Sequence, residues 1–164
     1  MTSPPTIIYD DREKTPWVIT GFTAQRKRMP FGDYTIKGME NVLRIERKHG
    51  WSELVSNLAT TRKRSNLYRN IRALARLKLN GGIAAVFVED NPVTLPLATK
   101  HATSPYVTYL TIIRFCTECQ INYGVPVIPI GTGTMKEAYI HDFFHSILTA
   151  HKKGRAWYKR KEFI

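Results

Sequence analysis

Residues 66–88, NLYRNIRALARLKL-NGG-IAAVFV, restrict the fold more than any other stretch. Leu67, Ile71 and Leu74 recur at helical spacing, while Arg69, Arg72 and Arg76 fall on a separate face, so residues 66–79 read as an amphipathic helix. Asn80-Gly81-Gly82 stops it. Residues 83–88 are then almost wholly apolar, the pattern of a strand buried on both faces. A helix feeding such a strand predicts an α/β protein in which helices cover both sides of a sheet.

The other segments extend this frame. Residues 6–9 (TIIY) form a short β-branched run before acids, read as a strand, and residues 10–16 (DDREKTP) are the loop that leaves it. Residues 20–30 are basic and without period. Residues 31–37 and 42–48 alternate around a turn at 38–41 and make a hairpin-like pair. In the second of these strands Val42, Arg44, Glu46 and Lys48 share one face and Leu43, Ile45 and Arg47 the other. Ser52 reads as the N-cap of a helix carrying Leu54, Val55, Leu58 and Ala59. Ser104-Pro105 opens a helix to about residue 122. Residues 125–130 form a strand whose prolines, Pro126 and Pro129, favour a sheet edge. Thr134-Met-Lys-Glu137 reads as a capping box for a last helix to about residue 151. The order predicts one domain over residues 1–151, a mixed sheet flanked by helices, followed by a basic, aromatic tail over 152–164.

Charge narrows the function. The 164 residues carry 25 Lys+Arg against 13 Asp+Glu, a net charge of +12. Residues 44–80 hold a net +8 and residues 151–164 a net +5, whereas residues 81–150 hold −2. A basic belt beside a near-neutral scaffold points to a polyanionic partner, most simply nucleic acid. The lack of a long apolar run and of a basic-then-apolar leader argues against a membrane span and a secretory signal, and the expectation is an intracellular protein. Cys116 and Cys119, at i and i+3 of an apolar helix, are read as small core residues.

The belt begins at the one acid cluster of catalytic type. Asp33 and Glu46 lie on adjacent strands joined by a short turn, and Lys48 points to the same side as Glu46. Two carboxylates can hold Mg²⁺ together with a substrate phosphate. The cation polarises the phosphoryl group and acidifies water, and a lysine can orient that water or offset the departing charge.

The surrounding motifs carry a resemblance. A hydrophobic strand followed by Asp10-Asp11-Arg12-Glu13, then Gly32-Asp33-Tyr34, then Glu46-Arg47-Lys48, resembles the nuclease domain of the XPF/Hef family of structure-specific endonucleases, which reads D-x-R-E, G-D-Y and E-R-K-x-x-x-D. The motifs span about residues 7–90. The resemblance implies a restriction-endonuclease-like mixed sheet and hydrolysis of DNA with Mg²⁺, or Mn²⁺ as a substitute, leaving 5′-phosphate and 3′-hydroxyl ends. It implies Asp33 and Glu46 as metal ligands with the carbonyl of Arg47 as a third, Lys48 as catalytic lysine, and Asp10 as a further active-site acid. Arg12 and Arg47 would contact phosphate or brace the acids, and Glu13 would brace Arg12. The family's last Asp falls on Ser52, with Glu53 one residue later as the candidate replacement. Branched, flapped or junction DNA is the implied substrate, in recombination, repair, replication or phage DNA packaging. A homodimer is the implied assembly, with the apolar side of the last helix as its one hint.

Arg62, Lys63, Arg64 and Arg69 are assigned to the DNA backbone, where basic contacts give sequence-independent affinity. Trp157 and Tyr158 among the tail's lysines and arginines suit base stacking. Two rivals stand beside this reading. One is a non-catalytic DNA-binding module of the same fold. The other is a zinc hydrolase built on His141 and His145, spaced as in HExxH but with Asp142 in place of the Glu.

Overall fold

The computed structural model describes residues 3–100 and 106–153. Its elements are β1 (Thr6–Tyr9), β2 (Thr23–Arg26), β3 (Tyr34–Ile36), β4 (Leu43–Lys48), α1 (Trp51–Ala59), α2 (Thr61–Leu79), β5 (Ile83–Val88), α3 (Leu95–Lys100), α4 (Tyr109–Tyr123), β6 (Val127–Pro129) and α5 (Gly133–Lys152). The strands form one sheet in the order β2-β1-β3-β4-β5-β6. Strand β3 runs antiparallel to β1 and β4, while β4, β5 and β6 are mutually parallel. The sheet is therefore mixed, as expected, and β6 lies at its edge.

Strand β5 explains the architecture. Ala84, Val86 and Val88 enter one core with Leu54, Leu58, Ile71, Leu74, Ile112 and Phe115 of α1, α2 and α4. Ala85 and Phe87 enter a second core with Tyr34, Ile45, Ile140 and Phe144, beneath α5. A two-faced apolar strand thus joins the two halves of a three-layer protein. Burying Phe87 alone is worth roughly 1.5–3 kcal/mol relative to exposure.

Several local expectations need correction. Helix α1 starts at Trp51 with Gly50 at its cap and no side-chain cap, so Ser52 is an exposed first-turn residue. Gly50 has φ 148°, and a side chain there would meet the Asp90 carboxylate at 3.3 Å. Helix α2 begins five residues before the expected start, because the Thr60 side chain accepts from the Lys63 N–H and the straight-chain residues 62–64 extend the helix before its apolar face begins. Helix α5 is preceded by Thr132, which makes no side-chain cap bond, so the expected capping box of Thr134 and Glu137 is not the start of that helix. Helix α4 starts at Tyr109 behind a Thr108–Thr111 capping box, and Ser104-Pro105 lie outside the described residues. Val42 precedes β4 and packs with the core beneath α5 rather than on the Arg44 face. Strand β2 and helix α3 were not foreseen. The tail beyond residue 153, with Trp157 and Tyr158, lies outside the described residues. No described helix is long and apolar enough to cross a membrane.

Candidate active site

Strand β4 builds the site by simple alternation. All six of its residues are buried, three of one parity and three of the other. Glu46 and Lys48 face α1 and α2. The Lys48 ammonium donates to Glu46 Oε1 at 2.8 Å and to Glu53 Oε1 at 3.2 Å. The Asn70 amide of α2 donates to both Glu46 oxygens at 3.3 Å. Glu53 also accepts from the His49 N–H at 2.8 Å through its other oxygen. Glu53, rather than Ser52, is the acid at Lys48. Its place in the first turn of α1 also sets its charge against the positive end of that helix.

Asp33 lies in the bend immediately before β3, the neighbouring strand, rather than on the strand itself as expected. Its N–H donates to the Ile45 carbonyl at 2.7 Å, its carbonyl accepts from the Asp10 N–H at 2.9 Å, and its Oδ2 accepts from the Arg47 N–H at 2.7 Å. The preceding turn requires Gly32 because its φ of 67° is a left-handed conformation that side chains disfavour; a Cβ there would also pack closely, 3.4 Å from the Arg44 Cβ and the Ile45 carbonyl oxygen. The carboxylate is thus seated at the peptide that joins Glu46 to Arg47. Burial, and then the negative charge of Glu46, push the Asp33 carboxyl up to about 8, against the smaller opposing pull of the Arg47 N–H and Lys48. Burial pulls the Lys48 ammonium down, but Glu46 and Glu53 outweigh it and hold it above the ordinary lysine range. Lys48 is accordingly a cation in this arrangement.

The D-x-R-E residues divide. Asp10 is wholly buried, and its carboxylate is used up locally, accepting from the Arg12 N–H at 3.0 Å, from the Arg12 side chain, and from the Met29 N–H at 2.7 Å. Arg12 is half exposed; Asp10 above all, and then Asp33 and Glu46, raise its guanidinium, which sets it in the field of the acid pair. Glu13 braces Arg47, at 2.9 Å, and not Arg12. The Arg47 side chain projects through the opposite face of the sheet. It donates to Glu89 at 2.7 and 3.1 Å, to the Tyr34 hydroxyl at 3.1 Å and to the Thr15 carbonyl, and lies over the Trp17 ring. Its guanidinium is spent within the protein; its backbone alone borders Asp33 and Glu46.

Of the basic residues assigned to DNA, Arg62 and Arg69 are exposed and make no ion pair among the described residues. Arg64 donates to the Leu58 carbonyl at 2.9 and 3.1 Å, closing the end of α1, and Lys63 donates to the Ser56 hydroxyl at 2.8 Å. Arg69 adjoins Asn70, so α2 carries basic charge up to the acid pair. Sequence reasoning overlooked Asn70 and Glu89. The first could be found from its place one residue before the buried Ile71; the second had only its position after an apolar strand.

The donor set decides which metal fits. No group of three His, Cys, Asp or Glu able to hold a metal occurs among the described residues. His141 and His145 stack, His141 pairs with Asp142 at 3.0 Å, and no third ligand joins them among the described residues, where the zinc reading therefore finds no site. Cys119 is buried in the core and Cys116 partly so, with burial pushing both thiols up. Asp33 and Glu46 are different. Asp33 makes no ion pair among the described residues and stands beside a second carboxylate. Two carboxylates with a backbone carbonyl suit Mg²⁺ or Mn²⁺, which take oxygen ligands and retain water or phosphate for the rest.

No protein-family model matches the chain, and no curated protein does. Solved structures do. XPF from Aeropyrum pernix is 19% identical with a TM-score of 0.65, covering 97% of this chain and 68% of that one. The same organism's XPF in complex with DNA is 20% identical with a TM-score of 0.60, covering 96% of this chain and 70% of its own. With its six-stranded mixed sheet between helices, the chain has an XPF-like α/β fold.

Proposed function

We propose that the protein is a Mg²⁺-dependent endonuclease, with Mn²⁺ able to substitute, that hydrolyses DNA phosphodiester bonds at branched, flapped or junction structures. Its main support is the pairing of Glu46 and Lys48 on the face of β4 that meets the basic helix α2, with the Asp33 carboxylate held at the Arg47 N–H next to Glu46 and in the field of both. Asp33 and Glu46, with the Arg47 carbonyl, would hold the cation. When bound, the cation supplies charge for the phosphoryl oxygens and acidifies water. Lys48, kept protonated by Glu46 and Glu53, places a fixed positive charge beside the reacting phosphate. Asn70 holds the Glu46 carboxylate in orientation, and Arg12 offers a second, exposed cation at the same mouth. Arg62 and Arg69 line the approach along α2 and would draw the DNA backbone in. The XPF structure solved with DNA supports a nucleic-acid partner for this fold. Pairing of two copies is proposed on the family resemblance alone.

The test compares wild type with Glu46→Ala and Lys48→Ala on flap, fork and junction DNA in Mg²⁺. Cleavage should vanish in both variants while binding persists. Tight binding by a wild type that never cuts would favour the non-catalytic DNA-binding module. Cleavage that survives both substitutions would overturn the site.

A further inference from the structure

Two arginines on β4 have opposite fates. Arg47 is saturated by protein partners. Arg44, three residues earlier and on the other face, is not. It is 6% exposed, and its Nε is the one buried side-chain nitrogen or oxygen without a hydrogen-bond partner among the described residues. Its other protein contacts are weak: Nη1 meets the Met29 sulfur at 2.7 Å, and the Phe31 ring lies 5.3 Å from the guanidinium carbon. It makes no ion pair among the described residues. A guanidinium has five donors and matches phosphate bidentately. Burial pulls its guanidinium down, and the one carboxylate that offsets this, Glu40, lies beyond ion-pair distance and is outweighed by the burial, so an anion arriving from outside would relieve a buried, incompletely compensated charge.

Its position says which anion. Arg44 shares the Glu46–Lys48 face, one two-residue strand step of about 6.6 Å from Glu46. The 29–33 segment that covers it leads directly into Asp33, and Gly32 lies against its Cβ. From the solvent side, Arg12 reaches the Met29 carbonyl at 3.4 Å. Arg12 and Arg44 therefore flank Met29 at the edge of the acid pair. We propose that Arg44 is a further phosphate-contacting residue of this site, taking a nucleic-acid backbone phosphate adjacent to the one at Asp33 and Glu46. This rests on the endonuclease reading above.

The test uses Arg44→Met and Arg44→Gln in the full chain, with DNA binding measured in EDTA across a salt series, thermal melting in parallel, and cleavage in Mg²⁺. Removing one phosphate contact should lower the slope of log affinity against log salt by about 0.9 on duplex DNA. Cleavage should fall with it. The melting temperature should hold or rise in Arg44→Met, since an unpaired buried charge has been replaced by an apolar side chain of similar length. If Arg44→Met does not fold, Arg44→Gln carries the same slope test. An unchanged slope with unchanged cleavage would overturn the proposal while leaving the endonuclease reading intact, as would a melting loss with a wild-type slope. A wild type that shows no salt-dependent DNA binding would overturn both.

Discussion

Removing Glu89 should loosen the strand that carries the site. The Arg47 and Glu89 side chains are 5% and 9% exposed, so solvent screens their ion pair little. Glu89 accepts two bonds from Arg47 and one from the Trp17 indole, and faces Lys136 at 3.5 Å. Burial pushes its carboxyl up, yet Arg47 and Trp17 outweigh this and hold it below the ordinary glutamate range. Deleting one partner of a buried pair costs about 3–5 kcal/mol, because the other charge stays buried. Glu13 remains on Arg47, which puts Glu89→Ala near the lower end, about 3 kcal/mol. At roughly 2.1 cal/mol/K per residue, 164 residues give an unfolding entropy of about 0.34 kcal/mol/K, so the melting temperature should drop by about 9 °C. Pairing Glu89→Ala with Arg47→Met should cost clearly less than the sum of the singles, since neither member of the pair is then left buried without the other. Urea and thermal unfolding of the four proteins would measure the cycle. A loss under about 1 kcal/mol for Glu89→Ala, or simple additivity in the double variant, would refute a charge clamp beneath β4.

Acidity offers a second check. Because the folded Asp33 carboxyl lies near 8, above the ordinary carboxylate value of about 3.9, its ionisation opposes folding. In EDTA, stability should therefore decline from about pH 4 to about pH 8 and level off above it, an effect that Asp33→Asn should flatten. Protons compete for the same carboxylate, so Mg²⁺ or Mn²⁺ binding by calorimetry should weaken as pH falls below about 8. Arg62→Ala with Arg69→Ala should weaken binding equally across DNA sequences and lower the salt slope by about 1.8, read by fluorescence anisotropy; an unchanged slope would remove α2 from the DNA path.

The legible part of the site follows from strand parity. Glu46 and Lys48 differ by two, so any strand through them puts both on one face, and Asp33 lies just across the hairpin. Strand β5 was readable because apolar residues on both faces leave few architectures open. Strand β2 was not, because TAQR is polar and exposed along its length and only backbone bonding to β1 makes it a strand. Arg47 was the instructive case. Its parity alone put it with Leu43 and Ile45, and a helix covers that face, so its charge had to be met from within. The partners, Glu13 and Glu89, lie 34 and 42 residues away, a pairing that only the sheet order supplies. Asn70 likewise reaches Glu46 only because α2 packs back over β4.

The most direct test of the central claim is single-turnover cleavage of one flap substrate by saturating enzyme, in EDTA and then in Mg²⁺, for wild type and Glu46→Ala at equal bound fraction. Wild type should cut in Mg²⁺ alone, leaving 5′-phosphate and 3′-hydroxyl ends, and Glu46→Ala should bind without cutting. Cutting in EDTA, or by Glu46→Ala at the wild-type rate, would contradict a cation site at Asp33 and Glu46.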